Sequence, residues 1–373
     1  MSASRRTILL VATAAMLLAV FAVLPAPELI FRRSPIVSDR IAGDVRRIAM
    51  TVEPDGAMHA ALEVWTDSDW DIEYWSSITN LTPVARIVTL DLIEQRDASI
   101  AMAGDRLALA WIDVDAKAKR YALQVATKRR IDRSWAKPVV VAQGNRPLRE
   151  AAVAIDAAGR IVVAYVDGPD LRIASVDSGS ATPPARLAAG ARRPSIALEP
   201  GTGDAVVAYE VRDGSVSSVR AGPLEAPRPK GAASPLARTG RAPFVAAAGA
   251  TVAVAWAERD AVVVRRGGEA QQRVAAPGLG DQRPSIAFTR GGPVAAWAAR
   301  GRVVLLGADG IVRDLTPVRG CCPSVSATGS GMWVAWLESR PGNAIHRLAR
   351  LRYEGEPGRF TTGDRIFVTE LPG

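Results

Sequence analysis

Arginine and acidic side chains recur at corresponding positions of a pattern that repeats along the chain. An arginine lies just before a Ser-Ile-Ala-like segment in six copies: Arg96, Arg149, Arg193, Arg241, Arg283 and Arg319. An acid follows a Val-Ala-Trp-like segment within two residues in six copies: Asp67, Asp113, Asp167, Glu210, Glu258 and Glu338. A guanidinium group holds carboxylate or phosphate through parallel hydrogen bonds. The pattern indicates either a surface that binds an anionic or carbohydrate ligand, or ion pairs that orient the loops of neighbouring repeats.

Other reactive side chains are scarce. The chain has only two histidines, which excludes a three-histidine metal site, and we expect His59 and His346 to be ordinary strand residues. No phosphate-binding loop or dinucleotide motif is present, so we predict neither a metal nor a cofactor. The two cysteines, Cys321 and Cys322, are adjacent. They are either free thiols or a vicinal disulfide, which is strained because neighbouring Cα atoms are about 3.8 Å apart.

The repeat itself predicts the fold. Seven copies end in an aromatic residue, at spacings of 39 to 54 residues: Trp65, Trp111, Tyr165, Tyr209, Trp256, Trp297 and Trp336. Short β-rich copies with a period near this length are typical of the four-stranded blades of a β-propeller. We therefore predict an all-β propeller with seven blades. The first copy, around Ile48 to Trp65, is the most divergent, which leaves six blades and an appended hairpin as the alternative.

Within a copy, each segment suits one position in a blade. The small Ser-Ile-Ala segment fits the innermost strand, and the ring of the Val-Ala-Trp segment fits between neighbouring blades. A third strand follows, as at Tyr121 to Val125, and a fourth is marked by proline, as at Pro138 to Ala142. Either Pro35 to Ser38 or Arg365 to Thr369 is expected to close the ring, because an open ring would expose strand edges.

The amino terminus predicts contact with a membrane. Residues 8–24 form an uncharged apolar run between Arg5-Arg6 and Arg32-Arg33. This length lies between that of a signal peptide and that of a short membrane span. We favour an uncleaved hydrophobic helix as an anchor over a cleaved signal. Domains are then expected at 1–34, the anchor, and 35–373, the propeller. The propeller would lie outside the cytoplasm, periplasmic or at the cell surface, held in the inner or plasma membrane.

The charge of the chain is basic but dispersed. Lysine and arginine total 47 against 38 acids, a net charge of +9. The longest basic clusters are short, such as Lys128 to Arg130. Because nucleic-acid-binding proteins concentrate cations on one face, we expect no nucleic-acid partner.

Three segments resemble the repeats of bacterial sialidase-like propellers, whose blades carry Asp-box hairpins. The segment 126–138 keeps the Ser-Trp end of such a hairpin, but Lys128 and Arg130 stand where Ser and Asp belong; 70–77 and 320–325 also match loosely. The resemblance covers about residues 36–373 and implies the propeller fold. It does not carry the activity. The Arg-x-Pro motifs at Arg192 and Arg241 lack the family's preceding aromatic residue, and adjacent Tyr353 and Glu354 point to opposite faces of a strand.

These observations favour a membrane-tethered, extracytoplasmic propeller that acts as a binding or scaffold module for a protein or glycan. One alternative is a sialidase-like glycoside hydrolase acting at the central funnel. The other is an accessory subunit of a membrane complex. Three arginines converging on one carboxylate-binding point, with an acid nearby, would favour the hydrolase; arginines paired with acids of the blades would count against it.

Overall fold

The computed structural model describes residues 45–66, 69–76, 83–86, 93–200, 202–223, 225–280, 282–315, 320–327, 331–338 and 366–372. Every regular element in these ranges is a β-strand, which confirms the all-β prediction. Within the same ranges we find no helix of the length and apolarity needed to cross a bilayer. The predicted anchor at 8–24, the candidate closing strand at 35–38 and His346 lie outside the described residues.

The strands form seven antiparallel sheets in chain order. Sheet 1 contains β1 (Val45–Val52), β2 (Met58–Thr66), β3 (Asp69–Ser76) and β4 (Pro83–Arg86). Sheet 2 contains β5 (Glu94–Ala103), β6 (Arg106–Asp115), β7 (Arg120–Arg129) and β8 (Val139–Gly144). Sheet 3 contains β9 (Leu148–Ile155), β10 (Ile161–Asp167), β11 (Asp170–Asp177), β12 (Ser180–Ala181) and β13 (Ala185–Ala189). Sheet 4 contains β14 (Ala191–Leu198), β15 (Ala205–Val211), β16 (Val216–Gly222), β17 (Arg228–Pro229) and β18 (Ser234–Ala237). Sheet 5 contains β19 (Arg241–Ala248), β20 (Thr251–Glu258), β21 (Ala261–Arg266) and β22 (Gln272–Ala275). Sheet 6 contains β23 (Ser285–Thr289), β24 (Gly292–Ala299), β25 (Arg302–Leu306) and β26 (Val312–Asp314). Sheet 7 contains β27 (Gly320–Ala327), β28 (Gly331–Glu338) and β29 (Ile366–Pro372).

The sheets are the blades of a β-propeller, as predicted. Six are complete blades of four or five strands, and the seventh sheet has three strands within the described residues. Their innermost strands, β1, β5, β9, β14, β19, β23 and β27, contact one another in order, and β27 contacts β1, so the ring is closed. The carboxy-terminal β29 pairs with β28 as the third strand of sheet 7, opposite Val334 at Thr369. Sheets 1 and 7 share one core, in which Ile48 and Trp75 pack with Trp333 and Leu337.

The aromatic residue of the second strand lies between blades, as its place in the repeat predicts. Trp111, Trp256 and Trp297 are at most 1% exposed. Trp111 of sheet 2 shares a core with Ile72 of sheet 1, and Trp256 of sheet 5 shares one with Val206 of sheet 4. Each large ring therefore joins its own blade to the preceding one, which explains why this position of the repeat stays aromatic.

Candidate functional site

Those predicted arginines and acids that the structure describes belong to one face of the propeller. We call it the upper face; on it the innermost strands begin and the second strands end. In sheet 4, for example, Arg192 at the start of β14 lies opposite Glu210 at the end of β15 in the antiparallel register. The innermost strands enclose a central channel of about 1080 Å³. Most of the channel wall is small and apolar, whereas charged side chains surround its upper end, the channel mouth: Arg46, Arg47, Glu63, Asp97, Glu150, Arg193 and Arg283.

A recurrent β-bulge shapes this mouth. In five blades the bulge carries a non-glycine residue with positive φ: Asp97, Glu150, Arg193, Ala242 and Cys322, with φ of 49° to 57°. This left-handed conformation costs an L-residue roughly 1–2 kcal/mol, so neighbouring structure must hold it in place. A proline directly follows three of these residues, at Pro194, Pro243 and Pro323.

Side-chain oxygens from one blade hold the bulge of the next. Asp97 Oδ2 accepts a hydrogen bond from the Glu150 N–H at 2.8 Å, and Glu150 Oε2 accepts one from the Arg193 N–H at 2.5 Å. Glu210 Oε2 accepts one from the Ala242 N–H at 3.0 Å. Gln282 does the same for the Cys322 N–H at 3.3 Å. We call this chain of contacts the bulge relay. The acids at the mouth thereby position backbone.

Several of the same acids also form ion pairs with arginines. Arg47 Nη1 lies 3.0 Å from Asp97 Oδ1, and Arg193 Nη1 lies 3.2 Å from Glu210 Oε2. Glu210 is only 1% exposed and also pairs with Arg192 on its other oxygen. Of these contacts, the one between Arg193 and Glu210 of blade 4 joins two of the predicted residues, whereas Arg47 and Asp97 were not among them. The contacts leave Glu150 as the mouth acid that has no arginine within ion-pair distance among the described residues.

Arg283 behaves differently from the other arginines. Its Nε donates to the carbonyl of Pro243 at 3.0 Å, and its Nη2 donates to the carbonyls of Pro194 at 2.6 Å and Pro243 at 2.7 Å. Its guanidinium carbon also lies 5.3 Å from the ring centre of Phe244. Arg283 thus extends from blade 6 to blades 4 and 5 across the mouth. No described carboxylate lies within ion-pair distance of it.

The electrostatic surroundings of Arg283 are unfavourable for a cation. Burial, and then the positive charges of Arg47 and Arg193, lower the pKa of Arg283 to about 9, although Glu150 and Glu210 act in the opposite direction. The guanidinium therefore remains charged at neutral pH. A partly buried cation without a counter-ion is costly, and an anion brought to this point would relieve the cost.

A second cavity of about 530 Å³ lies on the upper face between blades 4 and 5. We call it the rim pocket. Three of the predicted residues line it, Glu210, Arg241 and Glu258, together with Arg192, Arg259 and Arg273. Its floor includes Gly214 and Gly240, and the loop carrying Gly240 lies directly against the indole of Trp256.

The predicted site residues therefore separate into groups. Arg193 and Arg283 line the channel, while Glu210, Arg241 and Glu258 line the rim pocket; Arg96 and Arg149 line neither cavity. Asp113 accepts a hydrogen bond from the Trp111 indole at 2.8 Å, and Asp167 pairs with Arg172 at 2.9 Å, so both serve their own blade. Asp67, Arg319 and the side chain of Glu338 lie outside the described residues.

Sequence reasoning missed Asp97, Glu150 and the special position of Arg283. The sequence does contain a signal for this position of the repeat. Two residues before the Ser-Ile-Ala-like segment stand Asp97, Glu150, Arg193 and Arg283. Arg96, Arg149 and Arg241 lie one residue earlier in the bulge. Of these two sets of arginines, Arg193 and Arg283 line the channel, whereas Arg96, Arg149 and Arg241 do not.

The remaining reactive groups are the channel arginines and the two cysteines. The channel arginines do not converge as three on one point, since Arg193 pairs with Glu210 and Arg283 bonds carbonyls. The structure joins Cys321 and Cys322 as a vicinal disulfide beside the mouth. Among the described residues, no group of three or more His, Cys, Asp or Glu side chains could hold a metal ion.

Comparisons with known proteins identify the fold class. No protein-family model and no curated protein sequence matches the chain. Among solved structures, a protein of unknown function from Dyadobacter fermentans is similar at a TM-score of 0.52 and 11% identity, covering 93% of this chain and 99% of that one. Trypanosoma rangeli sialidase in complex with sialic acid is similar at a TM-score of 0.51 and 12% identity.

The sialidase match covers 91% of this chain, and this chain spans 58% of the sialidase. A GH93 α-L-arabinofuranosidase of Fusarium graminearum, solved with arabinobiose, is similar at a TM-score of 0.50 and 11% identity, covering 92% and 96% of the two chains. The chain is thus a β-propeller with a fold-level resemblance to sialidase-like propellers, as the repeats suggested. At these identities the likeness shows the fold alone.

Proposed function

We propose that this propeller is a binding module that recognises a carboxylate-bearing glycan, or an acidic protein segment, at the channel mouth. The observation that carries the proposal is Arg283, a charged guanidinium at the mouth with no described carboxylate partner. Its Nε and Nη2 are engaged by carbonyls, which fixes the plane of the group. A fixed guanidinium needs little ordering when it binds an anion, and preorganisation of this kind favours affinity.

The acids of the mouth support binding over hydrolysis. Asp97 and Glu63 each accept a backbone hydrogen bond from the next blade and pair with an arginine. A glycosidase needs two carboxyl groups that reach the substrate, one of them able to exchange a proton. Here Glu150 is the one mouth acid without an arginine partner among the described residues. The hydrolase therefore stays the second candidate, supported by the fold-level likeness to a sialidase and an arabinofuranosidase, with Glu150 as its acid.

The test uses the full chain purified in detergent on an array of neutral and acidic glycans. The best acidic glycan is then titrated by calorimetry beside its methyl ester, which removes the negative charge without changing the protein. We expect at least tenfold weaker binding of the ester. Arg283→Lys keeps the charge but loses the planar fork and is expected to bind several-fold more weakly. Arg302→Gln, which changes an exposed side chain of blade 6, is the control. Equal affinity for glycan and ester would overturn the proposal.

The same preparations test the enzyme alternative. Fluorogenic sialoside and arabinofuranoside substrates are incubated with the chain and with Glu150→Gln. We expect the fluorescence released by the chain to equal that released by the variant. Turnover that disappears in Glu150→Gln would establish the hydrolase instead.

The tether belongs to the same proposal and rests on residues 8–24, an apolar run next to basic residues. We propose that it holds the propeller on the extracytoplasmic side of the membrane. A carbonate wash of membranes is expected to leave the chain in the pellet, and deletion of residues 8–24 to release it. Amino-terminal sequencing that finds cleavage after this run would contradict the anchor. Stoichiometric co-purification with membrane proteins would instead favour the accessory-subunit alternative.

A further inference from the structure

Two charged side chains of the channel mouth contact the backbone of the same residue without pairing with each other. Glu150 Oε2 accepts a hydrogen bond from the Arg193 N–H. Arg283 Nη2 donates to the carbonyl of Arg193 at 3.1 Å and to the carbonyl of Pro194 at 2.6 Å. The carboxylate of blade 3 and the guanidinium of blade 6 are therefore both held at one bulge, where both line the channel. In the described part of the chain, no ion pair joins them.

The other charged side chains around the mouth already have partners. Ion pairs account for five of the seven: Arg46, Arg47, Glu63, Asp97 and Arg193. The two that remain without an ion pair among the described residues are one acid, Glu150, and one base, Arg283. The mouth therefore offers a ligand one negative and one positive group.

Each of these two groups has a polar atom left for a ligand. In the described structure, Glu150 is hydrogen-bonded through Oε2 and not through Oε1. Arg283 is hydrogen-bonded through Nε and Nη2 and not through Nη1. Both side chains are partly exposed. Burial lowers the pKa of Arg283, and the charge of Glu150 acts on it in the opposite direction, so the two groups interact across the mouth.

We propose that the ligand of the channel mouth carries an ammonium group next to its carboxylate, as an amino sugar acid does. The inference rests on the function proposed above, which assigns the carboxylate to Arg283. The carboxylate accepts from Arg283 Nη1, and the ammonium group donates to Glu150 Oε1. Hydrogen bonds between charged groups are stronger than neutral ones, and a site built around such a bond rejects an analogue that cannot form it. A ligand with a carboxylate alone brings a second negative charge to an unpaired Glu150.

The test is calorimetric titration of the full chain at neutral pH with glucosaminic acid, its N-acetyl derivative and its methyl ester. Acetylation removes the charge of the amine, and esterification removes the charge of the carboxylate. We expect glucosaminic acid to bind at least fivefold more tightly than either derivative.

The three probes separate this inference from the function on which it rests. Equal or tighter binding of the N-acetyl derivative, with the ester still weaker, overturns the inference and leaves the anion site at Arg283 standing. An ester that binds as tightly as the acid overturns the proposed function and the inference with it. A lack of measurable binding for all three probes also overturns the inference.

Glu150→Gln locates the contact of the ammonium group. The amide keeps an oxygen that can accept the Arg193 N–H, but the negative charge is lost. We expect this variant to bind glucosaminic acid and its N-acetyl derivative within twofold of each other, and still to prefer the acid to the ester because Arg283 is unchanged. Glu269→Gln, which changes an exposed side chain of blade 5, should keep the full preference for the free amine.

A preference for the free amine that stays equally large in Glu150→Gln overturns the inference. Thermal unfolding of each variant shows whether it is folded. If Glu150→Gln does not fold, the comparison of the three probes on the unaltered chain decides the question by itself.

Discussion

The hydroxyl oxygen of Ser195 accepts a hydrogen bond from the backbone N–H of Val245 at 3.1 Å and so joins blade 4 to blade 5. The same contact joins blade 2 to blade 3, from Ser99 to Val153, and blade 6 to blade 7, from Ser285 to Val325. The serine of the Ser-Ile-Ala segment is therefore a link between innermost strands. Together with the bulge relay, it ties the wall of the channel into a ring.

Ser195→Ala should destabilise the propeller. The substitution leaves the N–H of Val245, a residue only 2% exposed, without its acceptor. An unsatisfied buried donor costs about 1–3 kcal/mol, and we expect a loss of that size in the free energy of unfolding by urea. Ser234→Ala, on the exposed outer strand β18, should change it by less than about 0.5 kcal/mol. Equal effects of the two variants would show that the serine link contributes nothing.

Gly240→Ala should damage the loop that forms the rim pocket. A Cβ atom at Gly240 would lie 2.8 Å from Trp256 Cδ1 and 3.0 Å from Val216 Cγ2, both buried between blades 4 and 5. Overpacking of this kind costs about 1–3 kcal/mol. At Gly268 an added Cβ meets nothing within 4 Å, so Gly268→Ala is the matched control. Thermal unfolding should show a lower midpoint for Gly240→Ala only. A normal midpoint for that variant would mean that the loop shifts freely away from the indole.

Acid should destabilise blade 1 through His59. This side chain is 1% exposed and lies 2.6 Å from Glu53 through Nε2 and 2.5 Å from the Tyr74 hydroxyl through Nδ1. Burial, and then the charges of Lys128 and Arg130, lower the pKa of His59 to about 4. The unfolded chain, with a histidine pKa near 6.5, therefore binds the extra proton first. Stability is complete above about pH 6.5 and falls as the pH drops toward 4.

The size of the effect can be isolated with His59→Gln. Between pH 7 and pH 5 the unaltered chain should lose about 1–2 kcal/mol more of its free energy of unfolding than the variant. The raised pKa of Glu53, which is caused mainly by burial, acts in the opposite direction but is present in both proteins. Parallel pH profiles for the two would contradict a neutral buried His59.

Cys321 and Cys322 should be oxidised in the chain isolated from its own cell. The structure pairs them as a disulfide, and the predicted extracytoplasmic location permits one to persist. Alkylation of the denatured chain, followed by mass spectrometry, should add no label before reduction and two labels after it. Two labels without reductant would contradict both the pairing and the compartment in which it is expected.

Much of the fold could be predicted from the sequence because blade packing repeats. Trp111 and Trp256 each fill the space between two blades, so their period marks the sheets directly. Residues 366–369 of the predicted strand-like segment 365–369 belong to a strand, β29, which pairs within sheet 7. Each of these features depends on residues within one copy of the repeat, so the repeat itself makes them visible in the sequence.

The site could be predicted only in part because its geometry is not local. Glu150 and Arg193 have a left-handed backbone in the bulge, but neither is a glycine, so the sequence does not mark the bulge. Arginines at its first residue and at its second residue therefore look equivalent in the sequence. Arg283 bonds carbonyls of two other blades, the nearest of them 40 residues away. His59 was expected to be an ordinary strand residue; its link to Tyr74 depends on a cross-strand contact that no motif encodes.

The central claim is that Arg283 receives an anion at the channel mouth. A crystal structure of the full chain with the acidic glycan selected on the array tests it most directly. We expect a carboxylate of the glycan within hydrogen-bond distance of Arg283 Nη1, roughly 2.7–3.2 Å, while Nε and Nη2 keep the carbonyls of Pro194 and Pro243. A glycan bound elsewhere on the propeller, with no anion at Arg283, would contradict the account.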